Sequence, residues 1–127
     1  MPNVRFTYLY RDAGNYKQWA DVVFSNPDRL SLTDIDSFLR KAFLQDGLFI
    51  ARQIRLPDIF PFAFGDATSD DHCFHEFSGV EFTDAAPNDK HFRSIPALIA
   101  ETDQASRHGW VAFDPHDGPT RSSFLDL

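Results

Sequence analysis

Residues 4–10 read Val-Arg-Phe-Thr-Tyr-Leu-Tyr, and this alternation constrains the fold more than any other stretch of the chain. Val4, Phe6, Tyr8 and Tyr10 fall on one face of an extended strand, with Arg5, Thr7 and Leu9 on the other. Aromatic and β-branched side chains suit a pleated, half-buried surface. The next six residues, Arg11-Asp12-Ala13-Gly14-Asn15-Tyr16, are turn-forming, and Gly14-Asn15 tolerates positive φ. A second extended run covers 17–25, with Trp19, Asp21 and Val23 opposite Ala20, Val22 and Phe24. Asn26-Pro27-Asp28 closes it. A hairpin with one apolar face cannot stand alone in water, so the remainder must cover it.

A cover follows at once. Ser31 or Thr33 can cap a helix whose first turn carries Asp34 and Asp36. Ile35, Phe38, Leu39, Ala42 and Phe43 make one apolar stripe, Arg40 and Lys41 sit near its end, and Gly47 offers a stop. Residues 48–56 read as a third strand ended by Pro57, and 72–82 as a fourth with a bulge at Gly79. Ser94 caps a second helix with Pro96 in its first turn, Ile95, Leu98, Ile99 and Thr102 on one face, and Gly109 at its end. Residues 110–113 read as a short last strand. The expected class is α+β: a hairpin, a helix, further strands and a second helix on a mostly antiparallel, β-grasp-like sheet. A ferredoxin-like split unit needs a helix between the first two strands, and 11–16 is too short for one. Residues 1–113 should form a single domain, with 114–127 a polar C-terminal tail.

Fourteen Phe in 127 residues make the expected core aromatic and leave rings to spare for a partner surface. The net charge of −7 repels a phosphate backbone, which argues against nucleic acid, and attracts a basic protein. The plain alternative is that the charge keeps a Phe-rich chain in solution. A lone cysteine cannot form an internal disulfide and fits a reducing compartment. The N-terminus reads as a strand rather than a leader, and no apolar run reaches the roughly 18 residues of a membrane span. The expected location is the cytoplasm.

The densest chemistry lies at 70–77, Asp-Asp-His-Cys-Phe-His-Glu-Phe. His72, Cys73, His75, Asp71 and Glu76 are all divalent-metal ligand types. Strand alternation divides them: Asp71, Cys73, His75 and Phe77 face one way, His72, Phe74 and Glu76 the other. On that reading the two histidines cannot share a metal, and a site needs a ligand from elsewhere. The spacing is not the His-Glu-x-x-His of a zinc protease helix, and there is no Cys-x-x-Cys pair. The carboxylates around Cys73 disfavour a thiolate nucleophile. The alternative is structural, with histidines half-buried on a strand face. No nucleophile elbow or phosphate loop is present, so no catalytic residue is assigned.

Two further features stand out. Arg5, Arg11, Lys17, Arg52 and Arg55, interleaved with Tyr8, Tyr10, Tyr16 and Trp19, could form a cationic–aromatic patch able to grip a nucleotide or another small anionic ligand. Cross-strand ion pairs with carboxylates such as Asp12, Asp21 and Glu101 would account for the same residues. Phe60-Pro61-Phe62-Ala63-Phe64 is a proline-broken aromatic run that plugs a core or docks a partner.

The hairpin around Asn15-Tyr16-Lys17, with Asp71-His72-Cys73-Phe74-His75-Glu76, resembles a group of small bacterial proteins that share an Asn-Tyr-Lys hairpin and an Asp-His-x-x-His-Glu strand. The resemblance implies no activity; it marks Asn15, Tyr16 and Lys17 as worth the same attention as 70–77. The leading expectation is an acidic cytoplasmic interaction or regulatory module without catalysis. The alternatives are a metal-binding protein or metal-dependent enzyme using 70–77, and a small-ligand or nucleotide binder using Asn15, Tyr16, Lys17, Tyr8, Tyr10 and Arg52.

Overall fold

The computed structural model describes residues 2–60 and 72–115. The order is β1 (Asn3–Arg11), β2 (Lys17–Phe24), α1 (Leu32–Ala42), a 3-10 turn (Gln45–Gly47), β3 (Leu48–Phe49), a second 3-10 turn (Ala51–Ile54), β4 (His75–Thr83) and α2 (Ile95–His108). The strands form one antiparallel sheet in the order β2-β1-β4-β3. The α+β expectation is met. The β-grasp likeness extends no further than a hairpin-led sheet covered by helices.

The hairpin forms as its alternation dictates. Val4, Phe6 and Tyr8 are fully buried on the helix side, against Val22 and Phe24 of β2 and Phe77 of β4. Ile35, Leu39 and Phe43 close over them from α1, and Ile95, Leu98 and Ala105 from α2. Five of the fourteen Phe meet here: Phe6 meets the rings of Phe24, Phe43, Phe49 and Phe77, and Phe43 stacks on Phe49 at 4.8 Å. Both caps form. Ser31 Oγ accepts from the Asp34 N–H, and Ser94 Oγ from the Ala97 N–H.

β4 carries the bulge. Thr7 pairs with Gly79 but Tyr8 pairs with Phe77, so Ser78 is the extra residue. The extra residue switches phase: His75 and Phe77 lie on the helix side and buried before it, while after it Val80 and Phe82 take that side, Val80 packed against the core and Phe82 exposed.

Four elements depart from expectation. The third strand is two residues long, because the chain turns at Ala51, where the Leu56 N–H donates to the Ala51 carbonyl and Arg55 adopts φ 54°. The fourth begins at His75 rather than His72, because the His72 ring, not its backbone, meets the Arg11 carbonyl at 2.9 Å. Residues 110–113 form no strand. They run as a strap whose donors go to separate elements: Trp110 Nε1–H to the Ala42 carbonyl, Val111 N–H to Gln53 Oε1, and Phe113 N–H to Cys73 Sγ. α1 ends at Ala42, earlier than Gly47, which instead bends the following turn at φ 75°. The aromatic run at 60–64 lies outside the described residues beyond Phe60, as does the tail beyond Pro115.

Candidate functional site

Residues 72–77 are committed to structure on both of their faces. Cys73, His75 and Phe77 are buried and His72, Phe74 and Glu76 half-buried, the division that alternation predicts; Asp71 lies outside the described residues. His75 is completely buried, and its Nε2 accepts from the Ile59 N–H at 3.1 Å. That bond assigns the ring proton to Nδ1, which has no hydrogen-bond partner among the described residues; the Cys73 carbonyl beside it stands outside hydrogen-bonding geometry. Burial, reinforced by the charge of Arg52, lowers the His75 pKa from 6.5 to about 4, so the ring is neutral at neutral pH.

The other members are equally engaged. His72 Nδ1 accepts from the Phe74 N–H, leaving Nε2–H to donate to the Arg11 carbonyl. Glu76 takes Nε and Nη2 of Arg11, whose Nη1 donates to Asn15 Oδ1 at 2.7 Å. Cys73 Sγ receives the Phe113 N–H, and burial raises the thiol pKa, the opposite of what a nucleophile needs. Among the described residues no three of His, Cys, Asp and Glu converge where a metal ion could sit.

The Arg/Tyr patch is divided by the sheet. Tyr8 and Tyr10 are on the buried face, and their hydroxyls donate to the carbonyls of Pro57 at 2.8 Å and His72 at 2.6 Å. Their rings offer no stacking surface. Arg52 pairs with Asp58 at 2.6 Å and lies 3.8 Å over the Phe113 ring. Burial raises the Asp58 pKa against the opposing pull of Arg52. Arg5 bridges Asp21 and Glu81, and Arg55 pairs with Glu101, so the ion-pair alternative accounts for these arginines. Asn15, Tyr16 and Lys17 are exposed at the hairpin tip, with Asn15 at φ 67° and Tyr16 77 % exposed.

The surface that remains lies along β2 and the loop before α2. The Asn88 backbone N–H donates to the Val23 carbonyl, and Asn88 Oδ1 accepts from the Val23 N–H, so one asparagine seals the sheet edge there. Asp89 and Arg93 then form a buried ion pair at 2.9 Å. Arg93 also donates to the carbonyls of Ile54 and Arg55 and to Glu101, fastening this loop to the second 3-10 turn and to α2. Burial pushes the Asp89 and Glu101 carboxyls up, but the hydrogen bonds and charges of Arg93 and Arg55 outweigh it and hold both below the usual carboxylate range.

So fastened, the loop presents Phe92 at φ 56° and 95 % exposed. It divides two depressions. One, of about 430 Å³, lies between Asp21 and Val22 of β2, Leu56-Pro57 and the loop. The other, of about 470 Å³, lies beside Phe92 against Ser25 and Pro87.

Sequence reasoning did not single out Asn88, Asp89, Phe92 or Arg93. An Asp four residues before an Arg, immediately ahead of a Ser cap, was the available signal.

Comparison with protein-family models, with curated proteins and with solved structures finds no match to this chain.

Proposed function

We propose that this chain is a small acidic interaction module, without catalysis of its own, that docks a basic protein partner through the Phe92 loop. The observation that carries this is Phe92 itself. A bulky residue in left-handed backbone is strained by roughly 1–3 kcal/mol, and a phenyl ring left in water gains nothing from burial. The buried Asp89–Arg93 pair over-determines the turn and holds the strained residue out. A partner pocket that takes the ring from water gives the arrangement a use.

The net charge of −7 supports a basic partner and disfavours nucleic acid. Asp28 and Asp84, both exposed, lie three residues after Ser25 and three residues before Pro87, which line the depression beside Phe92. Lys90 opposes them from the loop. Among the described residues no helix is long and apolar enough to cross a membrane. Cytoplasmic residence is part of the proposal and is supported by the free, buried Cys73. Kinship with the bacterial group sharing the Asn15-Tyr16-Lys17 hairpin is also part of it, because that tip is exposed rather than packed.

The test compares the native chain with Phe92→Gly in affinity capture from the host, followed by binding kinetics over a salt series. The expected result is one stoichiometric basic partner, an association rate that falls with salt, and loss of binding in Phe92→Gly without loss of stability. A purely structural Phe92 would give a destabilised variant. Recovery of the same proteins by both chains, or of none by either, would overturn the reading.

A further inference from the structure

Among the described residues the N-terminal half of β2 is an unsealed sheet edge, and its residues are complementary to themselves. The register with β1 shows which backbone groups it presents. Val23 points outward, because its N–H and C=O both go to Asn88 rather than to β1. Alternation in an antiparallel ladder then turns Lys17, Trp19 and Asp21 outward as well. No hydrogen bond engages their backbone groups among the described residues. Unlike Val23, and unlike the opposite edge at β3, where Leu44 N–H takes the Leu48 carbonyl, this stretch is left open.

From this we infer that a second copy of the chain pairs antiparallel on the β2 edge about a two-fold axis at Trp19, giving a continuous eight-stranded sheet. In that register Trp19 faces its own copy, and Lys17 faces Asp21 of the second copy on the same side of the sheet. Both contacts occur twice or lie on the axis, as an isologous interface requires. Neighbouring registers fail on the same chemistry. One sets Lys17 against Lys17 and another Asp21 against Asp21, each a like-charge cross-strand pair. A third, about Ala20, sets Lys17 against Val23, and a fourth, about Gln18, sets Lys17 against Trp19; neither forms the Lys17–Asp21 pair.

The groove beside the edge supports the same occupant. The position after Lys17–Asp21 in this register places Tyr16 of one copy opposite Val22 of the other, with side chains on one face. Val22 borders the 430 Å³ groove with Leu56 and Pro57, and Tyr16 is 77 % exposed in the single chain. The ring and the groove therefore meet. Trp19, 54 % exposed, loses its exposure across the axis. The strip at 17–21 carries one Lys and one Asp, so two molecules of net charge −7 meet along a neutral seam.

The contact is separate from the Phe92 loop, and its test does not depend on that reading. Sedimentation of the purified full chain over roughly a hundredfold range of concentration should show reversible monomer–dimer exchange. Lys17→Asp and Asp21→Lys should each weaken the dimer on the order of tenfold, since each sets like charges opposite at two symmetric positions. The double swap K17D/D21K should restore it, and Phe92→Gly should leave it unchanged. These residues are exposed, and rescue by the double swap separates a lost contact from a damaged fold. A chain that stays monomeric throughout, or a dimer that ignores the single swaps or is not restored by the double one, would overturn the inference.

Discussion

His75 converts a ligand-like residue into a packing residue, and that change has a pH signature. The ring touches Tyr8, Tyr10, Phe49 and Phe60 and is neutral at neutral pH. Its pKa is about 4 in the fold against 6.5 for a free histidine, so on acidification the unfolded chain takes up the proton first. The stability tied to the neutral ring is fully present above pH 6.5 and is lost as pH falls toward 4, a total of about 3 kcal/mol. Asp58, whose pKa is raised, opposes that loss in acid; Asp89 and Glu101, whose pKa values are lowered, add to it below the usual carboxylate range. Urea titrations between pH 7 and pH 4 should show this decline, and His75→Phe should flatten it above the carboxylate range. An unchanged slope in the variant would remove His75 as the cause. The face occupied by each residue of this stretch was legible from alternation. Which of their donors and acceptors are already engaged was not, because it depends on Ile59, Phe74, Phe113 and Arg11.

At the scale of elements, the hairpin, both helices and both Ser caps were legible because their signals are local: period two, period 3.6, and a hydroxyl three residues ahead of an amide. The elements misjudged are those whose backbone partners lie far along the chain. Residues 48–56 are apolar enough for a strand but find only two residues of β4 to pair with. Residues 110–113 pair with no strand and bond instead to Ala42, Gln53 and Cys73. Gly47 belongs at this scale, since it turns the chain from α1 into β3. At φ 75°, a Cβ there would lie 3.4 Å from the Phe77 carbonyl oxygen and 3.4 Å from Arg40 Nη1. Gly47→Ala should cost about 1–2 kcal/mol through the backbone alone, with the Phe77 contact adding to it. Gly109→Ala, at φ 104° with open space around it, should meet only the backbone term. Equal losses in the two variants, read by denaturant midpoint, would dismiss the Phe77 contact.

For the whole molecule, Cys73 is a built-in reporter. It is the chain's single cysteine, 2 % exposed, at the point where the approach to β4 meets the 110–113 strap. Labelling by a thiol reagent should therefore track opening of the fold and run on the order of a thousandfold slower in the native protein than in the unfolded chain. Rapid labelling without denaturant would show that the strap opens on its own. By itself the sequence determined the α+β class, the hairpin, the capped starts of both helices, the aromatic core and the acidic charge, because periodicity, capping and composition act between near neighbours or over the whole chain at once. Only the tertiary structure decided which histidine nitrogens are engaged, where the Asp89–Arg93 pair pins a strained Phe92, and which half of β2 is sealed by Asn88. The His75–Ile59 and His72–Arg11 bonds, the anchoring of Arg93 on the Ile54 carbonyl and the Asn88–Val23 bond join groups 16 to 65 residues apart, and no local pattern in the chain encodes such a meeting.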